Sequence, residues 1–239
     1  MGSSRLPGKV LKPILGKPVL VHLLERLKRC RELDEIIVTT STLRENDRIE
    51  KVVSDIGVPI FRGSEDDVLG RMIAGLSEYE AIVGVNVFGD CPLIDPHLVD
   101  QLITEFKSRP DLDFLGNDLR TTYPPGMEVE VFKFSALEAS GGRAVDPEIR
   151  EHGTLYMRLH PDEFAIENAE APPEFARTDL SLGLDTAEDF RVISEVFGNF
   201  RDSPVFGLRE IIQFMDTNPE LKLINSEIPR RWRKYRNDP

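Results

Sequence analysis

Cysteine is scarce in this chain of 239 residues. Cys30 and Cys91 are its two, too few for a disulfide scaffold or a cysteine-built zinc site, and a reducing cytoplasm is the expected setting. No apolar run approaches the roughly 18 residues a membrane span needs, and no charged-then-apolar segment opens the chain. Positive charge is in deficit too. With 30 Lys and Arg against 42 Asp and Glu the formal net charge is −12, which argues against a nucleic-acid partner, because a phosphate backbone demands a broad basic surface. Internal repeats, low-complexity linkers and a Walker-type loop are also missing. What remains is an ordinary balance of 40% apolar and 30% charged residues, enough for one α/β domain with a substantial core.

The cations are unevenly placed. The first 31 residues hold Arg5, Lys9, Lys12, Lys17, Arg26, Lys28, Arg29 and Arg31 against one acid, Glu25. A local basic site in an acidic protein suits a small polyanion. A second basic run, Arg230 to Arg236, reads as a solvated terminus.

Helical and strand patterns alternate. Leu20, Leu23, Leu24 and Leu27 share one helix face, as do Ile49, Val52, Val53 and Ile56 before a stop at Gly57. Further helices are expected over Val68 to Leu76 and after Pro96. Glu35 to Thr40 and Ala81 to Phe88 read as buried strands, the alternation of a mostly parallel sheet covered on both faces. Met127, Val129 and Val131 alternate with Glu128 and Glu130, a strand with one polar face suited to lining a cleft. Ser181 to Leu184 is expected as a further strand, followed by a helix capped by Thr186 and Asp189.

Three segments can carry chemistry. Gly2-Ser3-Ser4-Arg5-Leu6-Pro7-Gly8-Lys9 offers glycines for close backbone approach, hydroxyls and two cations, a composition able to wrap a polyphosphate; the alternative is a flexible terminus. Asp90, in Phe88-Gly89-Asp90-Cys91-Pro92-Leu93, stands just after a strand, where ligands of parallel sheets collect. It either caps the next helix or binds a metal. Asp185, in Leu184-Asp185-Thr186, is placed alike, with helix initiation as its alternative. Two such acids could hold Mg2+, which takes oxygen ligands and keeps waters or phosphates elsewhere.

Together these stretches resemble the acylneuraminate cytidylyltransferase family, in its spore-coat polysaccharide branch. The likeness extends through Arg62 to Arg71, Gly89 to Pro96, Tyr123 to Phe132, Arg150-Glu151-His152 and Asp185 to Asp189. It implies a nucleotide-diphospho-sugar transferase fold, a Rossmann-like, mostly parallel mixed sheet. One domain would span 1–239, with a sugar-side and dimerisation lobe at 123–170. It also implies transfer of CMP from CTP to a sugar or sugar acid, for surface polysaccharide, by a cytoplasmic homodimer. Ser3, Ser4, Arg5, Lys9 and Arg71 would contact the nucleotide, with Lys9 and Arg5 catalytic. Asp90 and Asp185 would ligate Mg2+, and Tyr123, Glu130 and His152 would face the sugar. A surface ion pair is the alternative for Arg71, and a structural role for His152.

The chain also departs from the pattern. The family's first apolar strand, ending in Gln-Ala-Arg, would precede Met1, and without it the neighbouring strands are expected to lack a partner. Asn86 stands in place of an arginine and Phe88 of a threonine. Ser181 and Gly183 replace an Arg and a Thr, and Gly153 and Leu155 break a Val-Thr-Pro run. The competing expectation is a truncated, non-catalytic binding or assembly subunit.

Overall fold

Leucine and valine at three- and four-residue spacing give the first helix its buried face. In the computed structural model, which describes residues 2–236, a small antiparallel hairpin of β1 (Pro13–Ile14) and β2 (Lys17–Pro18) leads into α1 (Val19–Leu27). Met1 lies outside the described residues. The chain continues through β3 (Val38–Ser41), α2 (Asp47–Asp55), β4 (Ile60–Gly63), α3 (Val68–Glu78), β5 (Val83–Asn86) and α4 (Pro96–Ser108). Then come β6 (Phe114–Gly116), β7 (Glu130–Lys133), α5 (Phe134–Arg143), α6 (Pro147–Arg150), α7 (Leu155–Leu159) and β8 (Ile166–Asn168), and last α8 (Ala187–Asn199), α9 (Leu208–Thr217) and α10 (Pro219–Leu223).

The expected α/β architecture is present, with a mixed sheet. β3 and β4 pair in parallel. β7 lies between β5 and β6, antiparallel to both, and β8 runs parallel to β6. Antiparallel pairing around β7 follows from its arrival over the loop of residues 117–129, whereas a parallel neighbour needs a crossover element. Among the described residues no ladder joins the β3–β4 pair to the four-stranded sheet. β3 and β5 are thus each paired on one side.

The helix ends follow local chemistry. Asp95 caps α4 by accepting from the His97 N–H at 2.9 Å, with Pro96 in the first turn. Thr186 and Asp189 form the expected capping box of α8. Ser181 to Leu184 is not a ladder strand. Leu180, Leu182 and Leu184 are buried alternately in the core, but the backbone makes single bonds, from Leu182 N–H to the Pro125 carbonyl and from Leu184 N–H to that of Asp90. The segment is extended because every second side chain is buried, yet it crosses other loops rather than lying along a strand.

The main core gathers α1, α4, α8 and α9 with Met127, Val129 and Val131. A smaller cluster packs Leu69 and Met72 of α3 against Phe132, Leu137 and Met157. No described helix is long and apolar enough to cross a membrane.

Candidate active site

A cleft of about 1230 Å3 opens at the carboxyl end of β5. Its first wall is the amino-terminal loop. Leu6 is buried and anchors that loop, its N–H bonded to Ser3 Oγ at 3.3 Å. Gly8 adopts φ 66°, a left-handed turn that glycine takes without strain and that starts the short helical turn bearing Lys9. Ser3, Ser4, Arg5 and Lys9 all line the cleft.

The two aspartates meet there. Leu184 N–H donates to the Asp90 carbonyl at 2.8 Å, which staples the segment bearing Asp185 to the one bearing Asp90. Gly126 makes this approach feasible: at φ 106°, a Cβ on it would lie 2.3 Å from the Leu182 backbone. Lys9 Nζ then bridges the pair, 2.6 Å from Asp90 Oδ2 and 3.2 Å from Asp185 Oδ1, and Arg5 pairs with the other oxygen of Asp185. Burial works against the Lys9 charge, but Asp90 and then Asp185 outweigh it and hold its pKa above the usual lysine value. Asp95 and Thr186 do the capping, so Asp90 and Asp185 are not spent as helix caps.

The opposite wall is the polar face of the strand segment around β7. Glu128 and Glu130 line the cleft while Met127, Val129 and Val131 enter the core. Glu130 is fully buried and accepts from Asn86 Nδ2 at 2.6 Å, Thr154 Oγ1 at 2.7 Å and Arg158 at 3.3 Å. Burial, with Asp118 nearby, raises its pKa to about 7 against those donors. His152 lines the cleft, its ring 4.3 Å from that of Tyr235, and burial lowers its pKa.

A family model for cytidylyltransferases matches residues 1–220. The chain belongs to that family. It is therefore a nucleotidyltransferase of the CTP-dependent class. Among its relatives, the uncharacterized protein MJ1063 of Methanocaldococcus jannaschii is 36% identical over 235 residues, covering 98% of this chain and 94% of the relative. The spore coat polysaccharide biosynthesis protein SpsF of Bacillus subtilis is 31% identical over 226 residues, 92% of each chain. A solved cytidylyltransferase from Leptospira borgpetersenii superimposes with a TM-score of 0.88 at 30% identity, over 96% of this chain and 95% of that one.

Three expectations for this cytidylyltransferase need correction. Tyr123 does not face the cleft. It is buried in the main core and borders a separate cavity beside Asp95, Phe175 and Phe206, because its large apolar ring turns inward and only the residues after it, Pro125 and Gly126, reach the cleft. Arg71 is not among the lining residues either. Its guanidinium folds back onto the carbonyls of Ser64 and Glu65, polar groups that precede α3 and need donors; among the described residues it bonds no carboxylate. The third correction concerns the basic run at the carboxyl end, which is no solvated tail. Arg230 makes a bidentate pair with buried Asp189 at 2.8 and 2.9 Å, and Arg236 pairs with Glu128 at 2.6 Å. A run of cations carries no periodicity, and its partners stand far away in sequence. The cue that could have found it is Trp232, the chain's single tryptophan, lodged among those arginines.

Asp118 and Arg158 were also missed. Their pair at 2.9 Å is almost wholly buried beside Glu130. Asn86, where an arginine was expected, is spent on Glu130, and Phe88, Ser181 and Gly183 line the cleft without adding a charge of their own.

Proposed function

We propose that this cytidylyltransferase activates an acidic sugar, as a member of the acylneuraminate family in its spore-coat branch, with Mg2+ as cofactor. The observation that carries the reading is the meeting of Asp90, Asp185, Lys9 and Arg5 in one cleft beside the serines of the amino-terminal loop.

The reaction is in-line attack of an acceptor hydroxyl oxygen on the α-phosphorus of CTP. A new P–O bond forms as the bond to the β-phosphate oxygen breaks, and the electron pair leaves with pyrophosphate. Proton loss from the hydroxyl balances the step. Positioning and charge neutralisation do most of the catalysis in such displacements. Ser3 and Ser4 orient the phosphates, while Arg5 and Lys9 turn from the carboxylates to the charge growing on pyrophosphate. Asp90 and Asp185 fit Mg2+: their carboxylates converge on one cation already, and the ion would complete its shell with water and phosphate. When bound, the ion polarises the α-phosphate and helps lower the pKa of the attacking hydroxyl.

Glu130 and His152 stand on the sugar side. Asp118 lines the cleft there, and its Oδ1 has no partner among the described residues, an acceptor that a hydroxylated substrate would satisfy. The lobe of residues 123–170 holds the exposed Val145 and Leu159, and pairing of two cytoplasmic copies through this lobe completes the proposal. The deciding assay is pyrophosphate release from CTP and Mg2+ with a panel of sugar acids. Release with a sugar acid and none with neutral sugars is expected; CTP binding without release for any acceptor would instead support a binding subunit.

A further inference from the structure

Residues 229–236 form a strap across the cleft, fixed at both ends. At one end Arg230 grips Asp189, and Arg5 donates to the Pro229 carbonyl at 3.0 Å. At the other, Arg158 donates to the Tyr235 carbonyl at 2.9 Å and Arg236 holds Glu128. Lys234 pairs with Glu148 at 3.0 Å. Three of the strap's cations are thus neutralised by acids. Two are not. Arg233 stands over the Trp232 ring and is not among the lining residues. Arg231 does line the cleft, and its guanidinium donates to the neutral Ser4 hydroxyl at 3.3 Å.

We infer that Arg231 is a phosphate-binding residue of the nucleotide site, supplied by the carboxyl-terminal strap to the loop that receives the triphosphate. The inference rests on the CTP reading above. The charges around the loop give the reason. Arg5 and Lys9 are already tied to carboxylates, and the positions of Asn86, Phe88, Ser181 and Gly183 bring no cation. Among the described residues Arg231 is the cation over Ser4 that no acid pairs with. A planar guanidinium offers paired donors to phosphate oxygens. The strap's anchor also ties it to the metal-side acid, since Asp189 accepts from the Asp185 N–H at 3.0 Å while holding Arg230.

The test is calorimetric titration of the full chain with inorganic tripolyphosphate and, separately, with CTP, each with Mg2+. Arg231→Gln should weaken both by roughly ten- to a hundredfold, the loss of one charged contact. Arg231→Lys should recover part of it, and Arg233→Gln should match wild type. Arg231 is exposed with one contact to Ser4, so the thermal midpoint of Arg231→Gln should equal that of wild type. Unchanged tripolyphosphate affinity in Arg231→Gln, or an equal loss in Arg233→Gln, overturns the assignment, as does a wild-type chain that binds no tripolyphosphate. Wild type that binds tripolyphosphate but not CTP defeats the CTP reading alone, and the variant comparison still decides Arg231.

Discussion

Replacing Lys9 by methionine keeps the length of the side chain and removes the charge between Asp90 and Asp185. The side chain of Lys9 is 15% exposed, those of Asp185 and Asp90 23% and 35%. Breaking a fully buried pair costs roughly 3–5 kcal/mol and an exposed one roughly 0–1, so this half-sheltered bridge contributes about 2 kcal/mol. For a chain of this size that lowers the thermal midpoint by roughly 4–8 °C. The second effect has the opposite sign. Both carboxylate oxygens touch the same nitrogen, so they lie no more than about 6 Å apart, and binding one Mg2+ ion directly needs only a closure to about 4 Å. On the proposed metal site the ion would have to displace an ammonium in the wild type, and in the variant it would not. At ten times its dissociation constant Mg2+ would return about 1.4 kcal/mol to Lys9→Met, or roughly 3–6 °C. Turnover should fall roughly 100- to 1,000-fold for want of a cation on the leaving pyrophosphate. Differential scanning fluorimetry with and without Mg2+, paired with pyrophosphate release, reads all three. A variant with wild-type turnover, or one whose midpoint ignores Mg2+, would refute the reasoning.

Asp90→Asn and Asp185→Asn should each reduce pyrophosphate release by roughly a hundredfold or more with an unchanged circular-dichroism spectrum; wild-type rates in either would defeat the metal assignment. Glu130 predicts a pH effect on stability. Its pKa is about 7 in the fold against an ordinary 4.5, so between those values the unfolded chain gives up its proton first and stability falls as pH rises, levelling off above about 7. Urea melts from pH 4 to 8 should show that decline in wild type and less of it in Glu130→Gln; identical slopes would place its cause elsewhere. Tyr123→Phe should leave kcat/KM within about twofold for every acceptor, and a tenfold loss would return Tyr123 to the sugar side.

Local chemistry was legible wherever cause and effect lie a few residues apart. Thr186 and Asp189 are three positions apart, and their capping box follows from spacing alone. The stripe of Leu20, Leu23, Leu24 and Leu27 is likewise a helix face, and all four are buried. The convergence of Asp90 and Asp185 on Lys9 was legible for a different reason: each follows a strand-like segment, and ordered motifs singled them out. The split of the sheet into a β3–β4 pair and a four-stranded group was foreshadowed only as strands short of a partner. The partners of the strap were not legible. Arg230 finds Asp189 and Arg236 finds Glu128 across 41 and 108 positions, and nothing in a run of cations names its partners. Tyr123 misled because a tyrosine beside a Pro-Pro-Gly turn fits a pocket wall as well as a core, and the choice is made by burial of its ring.

Charge balance explains how a chain of net charge −12 can receive a polyanion. Arg5, Lys9, Asp90 and Asp185 form a neutral group in which each cation faces an acid. Magnesium-bound CTP brings about two negative charges into a space whose low-dielectric walls magnify any imbalance. If the metal takes the two carboxylates, Arg5 and Lys9 are released together, two cations where they are needed. The surroundings then stay balanced through an exchange of partners rather than through a standing positive field. On the proposed metal site the aspartates would serve twice, as storage for the cations and as seat for the metal. This double role also explains why neutralising one of them should impair both functions: Asp185→Asn would leave Arg5 without its resting partner and the metal with one protein carboxylate.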